Sequence, residues 1–136
     1  MLALLSYAAI VAFVDHVSKR AVQTRISEAV SWGRLVRIRQ VQHSNPLYKE
    51  RAGRWALVVL WLAALLSAAW LHSSGMWLQR PWGMLGVGCA LGGAAGNLLD
   101  ILRQQQILNF IDLGWWPVFN LADAAIAGGL ALAFWP

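Results

Sequence analysis

The chain has 136 residues, of which 59% are hydrophobic and only 12% are charged. A soluble domain has about 25% charged residues, and so short a chain could not enclose this much apolar surface in a water-soluble core. The composition therefore excludes a water-soluble globular domain and predicts a single integral membrane domain, residues 1–136. The single cysteine, Cys89, excludes an internal disulfide.

The first predicted element is a helix over residues 2–22, which is apolar up to Val14 and then passes Asp15 and Lys19. No basic segment precedes it, so we expect a retained helix rather than a cleaved signal peptide. Asp15 and Lys19 are four residues apart and share one helix face, where their charges can neutralise each other. Ionisable side chains inside a membrane span are costly and often mark function. A structural and a catalytic role are equally open for this pair.

A polar segment follows, from Val22 to Arg54. Its basic residues after Val22 are Arg25, Arg34, Arg37, Arg39, Lys49, Arg51 and Arg54. Residues 35–41 alternate apolar and polar side chains and predict a strand, and Ser44-Asn45-Pro46 predicts a turn. The segment has no recognisable nucleic-acid-binding motif, so anionic lipid headgroups are the expected partner rather than nucleic acid. His43 has no further ligand at suitable spacing, so we predict no metal site.

Three more apolar runs predict helices over residues 55–74, 81–100 and 118–135. A spanning helix needs about 20 mostly apolar residues, and each run comes close to that length. We therefore predict an all-α membrane protein with four transmembrane helices and a basic, partly β loop between the first two. Seven of the nine tryptophans lie near the ends of apolar runs: Trp55, Trp70, Trp77, Trp82, Trp115, Trp116 and Trp135. This distribution favours an aromatic belt at the headgroups over bulky core filler.

The third predicted helix has glycines every four residues, at Gly88, Gly92 and Gly96, and these share one face. Small residues at this spacing let a neighbouring helix approach closely in lipid. We therefore predict that the glycine face packs against another helix of the same chain. A glycine-rich phosphate loop is disfavoured because no lysine follows the glycines and no strand precedes them.

An Asn-x-x-Asp pattern occurs twice: Asn97 and Asp100 end the third helix, and Asn120 and Asp123 open the fourth. Because consecutive helices run antiparallel, we expect both pairs at the same membrane face. The amides could orient the carboxylates by hydrogen bonding. Facing carboxylates that share a proton are what an aspartyl hydrolase needs, since one activates water while the other protonates the leaving amine. Asn and Asp also commonly cap helices, and the spacing alone leaves both interpretations open.

Three C-terminal stretches carry a resemblance to a known family: Gly92 to Asp100, Phe110 to Asp112 and Gly114 to Asp123. They resemble signal peptidase II, the bacterial lipoprotein signal peptidase, and Val14 to Lys19 is similar to the motif of its first helix. The resemblance implies a four-helix aspartyl endopeptidase of the bacterial inner membrane that uses two aspartates and neither metal nor cofactor. Its implied partners are a lipid-modified prolipoprotein, cut before a diacylglyceryl-modified cysteine, or the signal peptide alone, together with membrane phospholipids.

The resemblance also implies the catalytic positions. Asp123 matches one of the family's two catalytic aspartates, whereas Asn109 occupies the position of the other. An amide cannot take up and return a proton, so Asp112 and Asp100 are candidate replacements. The supporting residues implied are Asn97, Asp100, Asn120, Asp15, Lys19 and Asn45. We predict that five of these residues cluster at one membrane face around the connection of the last two helices: Asp100, Asn109, Asp112, Asn120 and Asp123.

Two other positions depart from the family pattern, and the charge distribution raises a question of topology. The family's arginine after Asn-x-x-Asp is Ile101 here, with Arg103 nearby, and its Asn-x-Gly-Ala-Ala loop reads Asn-Pro-Leu-Tyr-Lys over residues 45–49. Nine of the eleven lysines and arginines lie between Lys19 and Arg54, which by the positive-inside rule would put that loop in the cytoplasm. The resemblance implies the opposite, an extracytoplasmic loop with both termini cytoplasmic, and we adopt that topology.

Three functional hypotheses follow. The first is a signal-peptidase-II-type enzyme, with a rebuilt catalytic pair or with lowered activity. The second is a non-catalytic relative that binds lipoprotein signal peptides or lipids. The third is a small channel or transporter component, which the absence of any sign of inverted sequence repeats disfavours.

Overall fold

The computed structural model describes residues 1–33, 35–75 and 80–135. Arg34 and Trp77, which the sequence analysis assigned to the basic segment and the aromatic belt, lie outside the described residues. The elements in chain order are α1 (Leu2–Arg25), β1 (Val30–Trp32), β2 (Val36–His43), α2 (Pro46–Lys49), α3 (Arg51–Ser73), α4 (Pro81–Gln104), β3 (Ile107–Asp112) and α5 (Leu121–Ala133). Most of the chain is helical, and the three strands form one small sheet.

Within the described part of the chain, three helices are long and apolar enough to cross a membrane: α1, α3 and α4, with 24, 23 and 24 residues. Helix α5 has 13 residues and is shorter than the predicted helix over residues 118–135. The difference has a local cause, because Phe119 pairs with Ile111 of β3 and Asn120 caps the helix. The residues before Asn120 therefore belong to the sheet side of the molecule rather than to α5.

Helix α4 lies between α1 and α5, and glycines make both contacts. A Cβ on Gly92 would lie 2.4 Å from the carbonyl oxygen of Ala8 in α1. On another face, a Cβ on Gly93 would lie 2.4 Å from the carbonyl oxygen of Ala122 in α5. Only a hydrogen fits at such distances, so glycine is required for the helices to approach this closely. The predicted packing of the glycine face is confirmed, and its partner is α1.

Helix α3 lies at the periphery of the bundle. Of its residues, Gly53 and Ala68 are buried, while apolar side chains such as Leu60 and Leu66 are 65% and 68% exposed. The indole nitrogen of Trp61 donates a hydrogen bond to the carbonyl oxygen of Leu91 in α4 at 3.0 Å. In water such an apolar exposed helix would be unfavourable, whereas in a bilayer it faces lipid tails.

The six described tryptophans of the predicted belt are all strongly exposed, between 57% for Trp116 and 76% for Trp115. Core filling would bury these indoles, so their exposure contradicts that alternative. Trp115 and Trp116 also pack edge to face, with ring centroids 5.7 Å apart. The pair forms an exposed aromatic tip on the loop between β3 and α5.

The sheet is antiparallel in the order β1-β2-β3, so a strand from beyond α4 joins the two strands of the loop between α1 and α3. In the register of β2 and β3, Val41 lies opposite Asn109 and Arg37 lies opposite Asp112. Beneath the sheet, Val22 of α1 packs with Leu108 and Phe110 of β3. The predicted class is therefore confirmed in part: the chain is mostly helical with strands in the expected loop, but β3 lies outside that loop, and it carries Asn109.

Candidate active site

The end of α4, strand β3 and the start of α5 bring four side chains together. Asn97 comes from α4, Asn109 from β3, and Asn120 and Asp123 from the first turn of α5. Asn120 and Asp123 form a capping box: the Asn120 side-chain oxygen accepts from the Asp123 amide at 2.9 Å, and Asp123 Oδ2 accepts from the Asn120 amide at 3.2 Å. The expected capping role is thus present, and it fixes the Asp123 side chain at the N-terminal end of α5.

Side-chain hydrogen bonds join these four residues into what we call the amide–carboxylate network. Asn97 Nδ2 donates to Asp123 Oδ1 at 2.7 Å. Asn120 Nδ2 lies 3.1 Å from Asn97 Oδ1 and 2.9 Å from Asn109 Oδ1, and both oxygens are acceptors. Asn120 is fully buried, while Asp123 and Asn109 are half-buried. The amides therefore orient one partly accessible carboxylate, that of Asp123, whereas the repeated Asn-x-x-Asp pattern predicted that they would orient the carboxylates of both pairs.

A buried charged group, the Lys19 cluster of Asp15, Lys19 and Asp100, adjoins the network. Lys19 Nζ lies 2.6 Å from Asp15 Oδ2 and 2.7 Å from Asp100 Oδ2, and it donates to Asn97 Oδ1 at 3.0 Å. The three donors of the ammonium group thus face three acceptors, which compensates for burying the charge. Because Lys19 binds the Asn97 oxygen, the Asn97 amide nitrogen is directed towards the carboxylate of Asp123.

Asp15 also links α1 to α5. Its second oxygen, Oδ1, accepts a hydrogen bond from the backbone amide of Ala122 at 2.9 Å, and the side chain is only 1% exposed. That amide lies in the first turn of α5, where backbone donors have no partner within the helix. The expected pairing of Asp15 with Lys19 is therefore present. Sequence reasoning did not find the contact with Ala122, because it depends on how α1 packs against α5.

Asp112 and Asn45 lie outside the network. The Asp112 carboxylate accepts from Arg39 Nε at 2.6 Å and from the Gly114 amide at 2.8 Å. These two donors, Arg39 foremost, lower the pKa of Asp112. Asn45 is exposed and caps α2 by accepting from the Leu47 amide at 3.0 Å.

Asp112 does lie in the connection of the last two helices, on the same strand as Asn109, but its carboxylate bonds to Arg39 and Gly114 and not to the network. Asn109 and Asp112 are three residues apart in a strand, where side chains alternate between the two faces of the sheet. The two side chains therefore lie on opposite faces of β3, and Asp112 reaches Arg39 while Asn109 reaches Asn120. Asp100 does lie close by, but its carboxylate contacts Lys19 and not Asp123. Among the hydrogen bonds of the described residues, Asp123 bonds to amides and to no second carboxylate.

An apolar groove runs along the contact between α3 and α4, and Asn97 of the network is part of its lining. Its volume is about 290 Å³, and among the side chains that line it are Leu60, Trp61, Leu91 and Asn97. We did not predict this groove from the sequence, where Trp61 in the middle of an apolar run is its one indication. Among the described residues no group of three or more His, Cys, Asp or Glu side chains could hold a metal ion.

Comparison with known proteins shows the family. A sequence profile described as signal peptidase (SPase) II matches residues 7–136. The chain belongs to this family. The lipoprotein signal peptidases of Mycolicibacterium smegmatis and Mycobacterium tuberculosis H37Rv are each 33% identical over 95% of this chain. The corresponding protein of Rhodococcus jostii is 34% identical over 74% of it.

The chain spans 58%, 67% and 52% of the length of these three relatives, respectively. Two solved structures of a bacterial membrane enzyme share the fold, with TM-scores of 0.79 and 0.76. They cover 95% of this chain and 88% and 83% of their own chains, at 18% sequence identity. At that identity they show the fold alone. Signal peptidase II proteins are membrane proteins, in agreement with the three long apolar helices of this one.

Proposed function

We propose that this chain binds lipid-modified prolipoproteins in the bacterial inner membrane and is a slow aspartyl endopeptidase that releases their signal peptides. Family membership supports the substrate class, since the relatives are named lipoprotein signal peptidases. The observation that carries the proposal is the amide–carboxylate network, in which Asn97 and Asn120 hold Asp123 beside Asn109. Asp123 is the catalytic carboxylate, and Asn109 stands where the family has the second.

The chemistry explains why the reaction is slow. The Asp123 carboxylate takes a proton from water, whose oxygen attacks the scissile carbonyl carbon. When the carbon–nitrogen bond breaks, the departing amine must gain a proton, which the second aspartate would supply. The Asn109 side-chain amide is far too weakly acidic to give up a proton at neutral pH. The single proton on Asp123 therefore has to serve both steps, which removes one of the two acid–base contributions.

The apolar groove between α3 and α4 is the proposed binding site for the apolar part of the precursor. Its lining is almost wholly hydrophobic, as a signal-peptide helix or an acyl chain requires, and the one polar residue among the described residues of the lining, Asn97, belongs to the network. An apolar chain bound there would approach Asp123 laterally, from the lipid. Because α3 is bound to α4 over a small area, the groove is accessible without disrupting the main α1–α4–α5 packing.

Helix α5 is the proposed fourth membrane crossing. Its 13 residues rise about 20 Å, at 1.5 Å per residue. A hydrocarbon core is about 30 Å deep, and the exposed aromatic residues after α5, such as Trp135, extend the span towards that depth. With four crossings both termini lie on the same side of the membrane. The family layout makes that side the cytoplasm, which puts the sheet and the network at the extracytoplasmic face.

The test is cleavage of a diacylglyceryl-modified prolipoprotein by the purified full chain in detergent, followed as release of the signal peptide. Asn109→Asp should raise the rate by about 10²- to 10⁴-fold, the usual contribution of a general acid or base. Asp123→Asn should abolish the remaining activity. The matched control is Gln42→Glu, an amide-to-carboxylate change at an exposed residue of β2 in the same sheet, which should leave the rate unchanged.

Fast cleavage by the unaltered chain would contradict the proposal, and loss of that activity in Asp100→Asn would identify Asp100 as the replacement. The alternative function is a protein that binds prolipoproteins without cutting them. The absence of a second carboxylate among the described contacts of Asp123 favours it. It would be established if neither the chain nor Asn109→Asp cuts the precursor while both bind it.

A further inference from the structure

In addition to the apolar groove, a cavity with polar walls lies between α1 and the C-terminal end of α4, apart from the amide–carboxylate network. Its volume is about 220 Å³. Its walls include His16, Arg20 and Gln23 from α1 and Asp100, Arg103 and Gln104 from α4. None of the four network residues lines it, and neither the proposed catalysis nor the apolar groove uses it.

The charges of this cavity favour an anion. Lys19 also lines it, but its three donors already face Asp15, Asp100 and Asn97. The Lys19 cluster therefore carries a net charge of −1 and offers no cation to a ligand. Arg20 and Arg103 add two exposed guanidinium groups, which makes the whole assembly positive by one charge.

The donor geometry of the cavity suits a phosphate group. Arginine binds phosphate through two parallel N–H donors, so Arg20 and Arg103 could each hold two of its oxygens. Gln23 and Gln104 add neutral amide donors to the same walls. Two arginines from separate helices, with amides beside them, match the several oxygens of one phosphate better than a single carboxylate.

The position of the two arginines points to a lipid as the source of the phosphate. One helical turn before Arg20, Val17 is 47% exposed, and one turn before Arg103, Leu99 is 39% exposed. Both helices are long and apolar enough to span a membrane. The arginines therefore lie where lipid-facing apolar surface ends, which is the depth of the headgroups, and basic pockets between spanning helices bind anionic lipid headgroups.

We propose that the cavity between α1 and α4 binds the phosphate of an anionic phospholipid, with Arg20 and Arg103 as its charged ligands. This site is separate from the basic segment before α3 and is independent of peptide cleavage. A bound lipid would bridge α1 and α4 on the far side of Lys19 from Asp123.

The proposal can be tested by native mass spectrometry of the full chain, released from detergent in the presence of phosphatidylglycerol. Arg20→Gln with Arg103→Gln should weaken retention of the lipid at least about tenfold, a change of about 1.4 kcal/mol. Arg25→Gln with Arg37→Gln is the matched control, because it removes the same charge from the same end of the molecule but leaves the cavity intact. If both double variants lost the same amount of lipid retention, the loss would be an effect of net charge alone, and the proposal would be overturned.

A milder pair of variants guards against misfolding of the double arginine variant. Gln104→Glu puts a carboxylate in the cavity wall and should weaken binding of phosphatidylglycerol, whereas Gln105→Glu makes the same change one residue outside the cavity and should not. If the parent chain retained phosphatidylcholine as well as phosphatidylglycerol, and neither variant changed this, the proposal would be overturned. Displacement of the lipid by millimolar glycerol 3-phosphate would show that the site takes a soluble phosphate and would overturn the lipid assignment.

Discussion

Adding one methyl group at Gly92 should weaken the contact between α1 and α4. The new Cβ would lie 2.4 Å from the oxygen and 2.7 Å from the Cα of Ala8, and both are backbone atoms that cannot rotate away. Ordinary contacts begin near 3.4 Å, so the helices would have to separate by about 1 Å. Overpacking of this kind costs about 1–3 kcal/mol, while replacing glycine by alanine in a helix returns about 1 kcal/mol.

Gly128→Ala provides the matched control because a Cβ there has no atom within 4 Å among the described residues beyond its own helix backbone and chain neighbours. Both variants gain the same helix propensity, so the difference between them isolates the overpacking cost of about 1–3 kcal/mol. The measurement is the free energy of unfolding in mixed detergent micelles, followed by tryptophan fluorescence. If Gly92→Ala proved as stable as Gly128→Ala, the close approach of α1 to α4 would be refuted. Gly92→Leu should be worse than Gly92→Ala.

Two further predictions concern the charged groups. Lys19→Met should destabilise the protein by about 3–5 kcal/mol because it leaves the buried carboxylates of Asp15 and Asp100 uncompensated. Asp15→Asn should cost less, since Lys19 keeps Asp100, and equal unfolding free energies for the two variants would contradict this. Because Arg39 lowers the pKa of Asp112 below its ordinary value of 3.8, the stabilisation from this pair should be complete above that pH and lost as the pH falls below it. Unfolding free energies measured from neutral to acid pH should show this loss in the parent chain and not in Asp112→Asn.

The sequence predicted the helices of this fold where a single local feature determines them. The uncharged run between Arg54 and Arg80 predicted α3, and Pro81 marks the first residue of α4. The glycine spacing predicted a close helix contact but not its partner. Strand β3 was missed because its six residues carry little local signal and depend on pairing with β2, more than sixty residues earlier in the chain.

The candidate site was predicted in part, for a similar reason. The repeated Asn-x-x-Asp pattern identified three of the four network residues, and the resemblance to the family added Asn109. The bond of Asp112 to Arg39 was not predicted, because it depends on the pairing of β3 with β2. The bond from Lys19 to Asn97 joins residues 78 positions apart, so only the packing of α1 against α4 could reveal it.

Position 109 has a structural role, which is to accept a hydrogen bond, and a chemical role, which is to transfer a proton. Asn109 can fill the first but not the second. Its side-chain oxygen accepts the hydrogen bond from Asn120 Nδ2 at 2.9 Å, and a carboxylate oxygen in the same place would accept the same bond. The network can therefore form without a second carboxylate, because its contacts require an acceptor at this position and not a charge. Proton transfer alone requires an aspartate there. A gain of cleavage in Asn109→Asp would consequently report on proton transfer itself, since the surrounding contacts are the same in both chains.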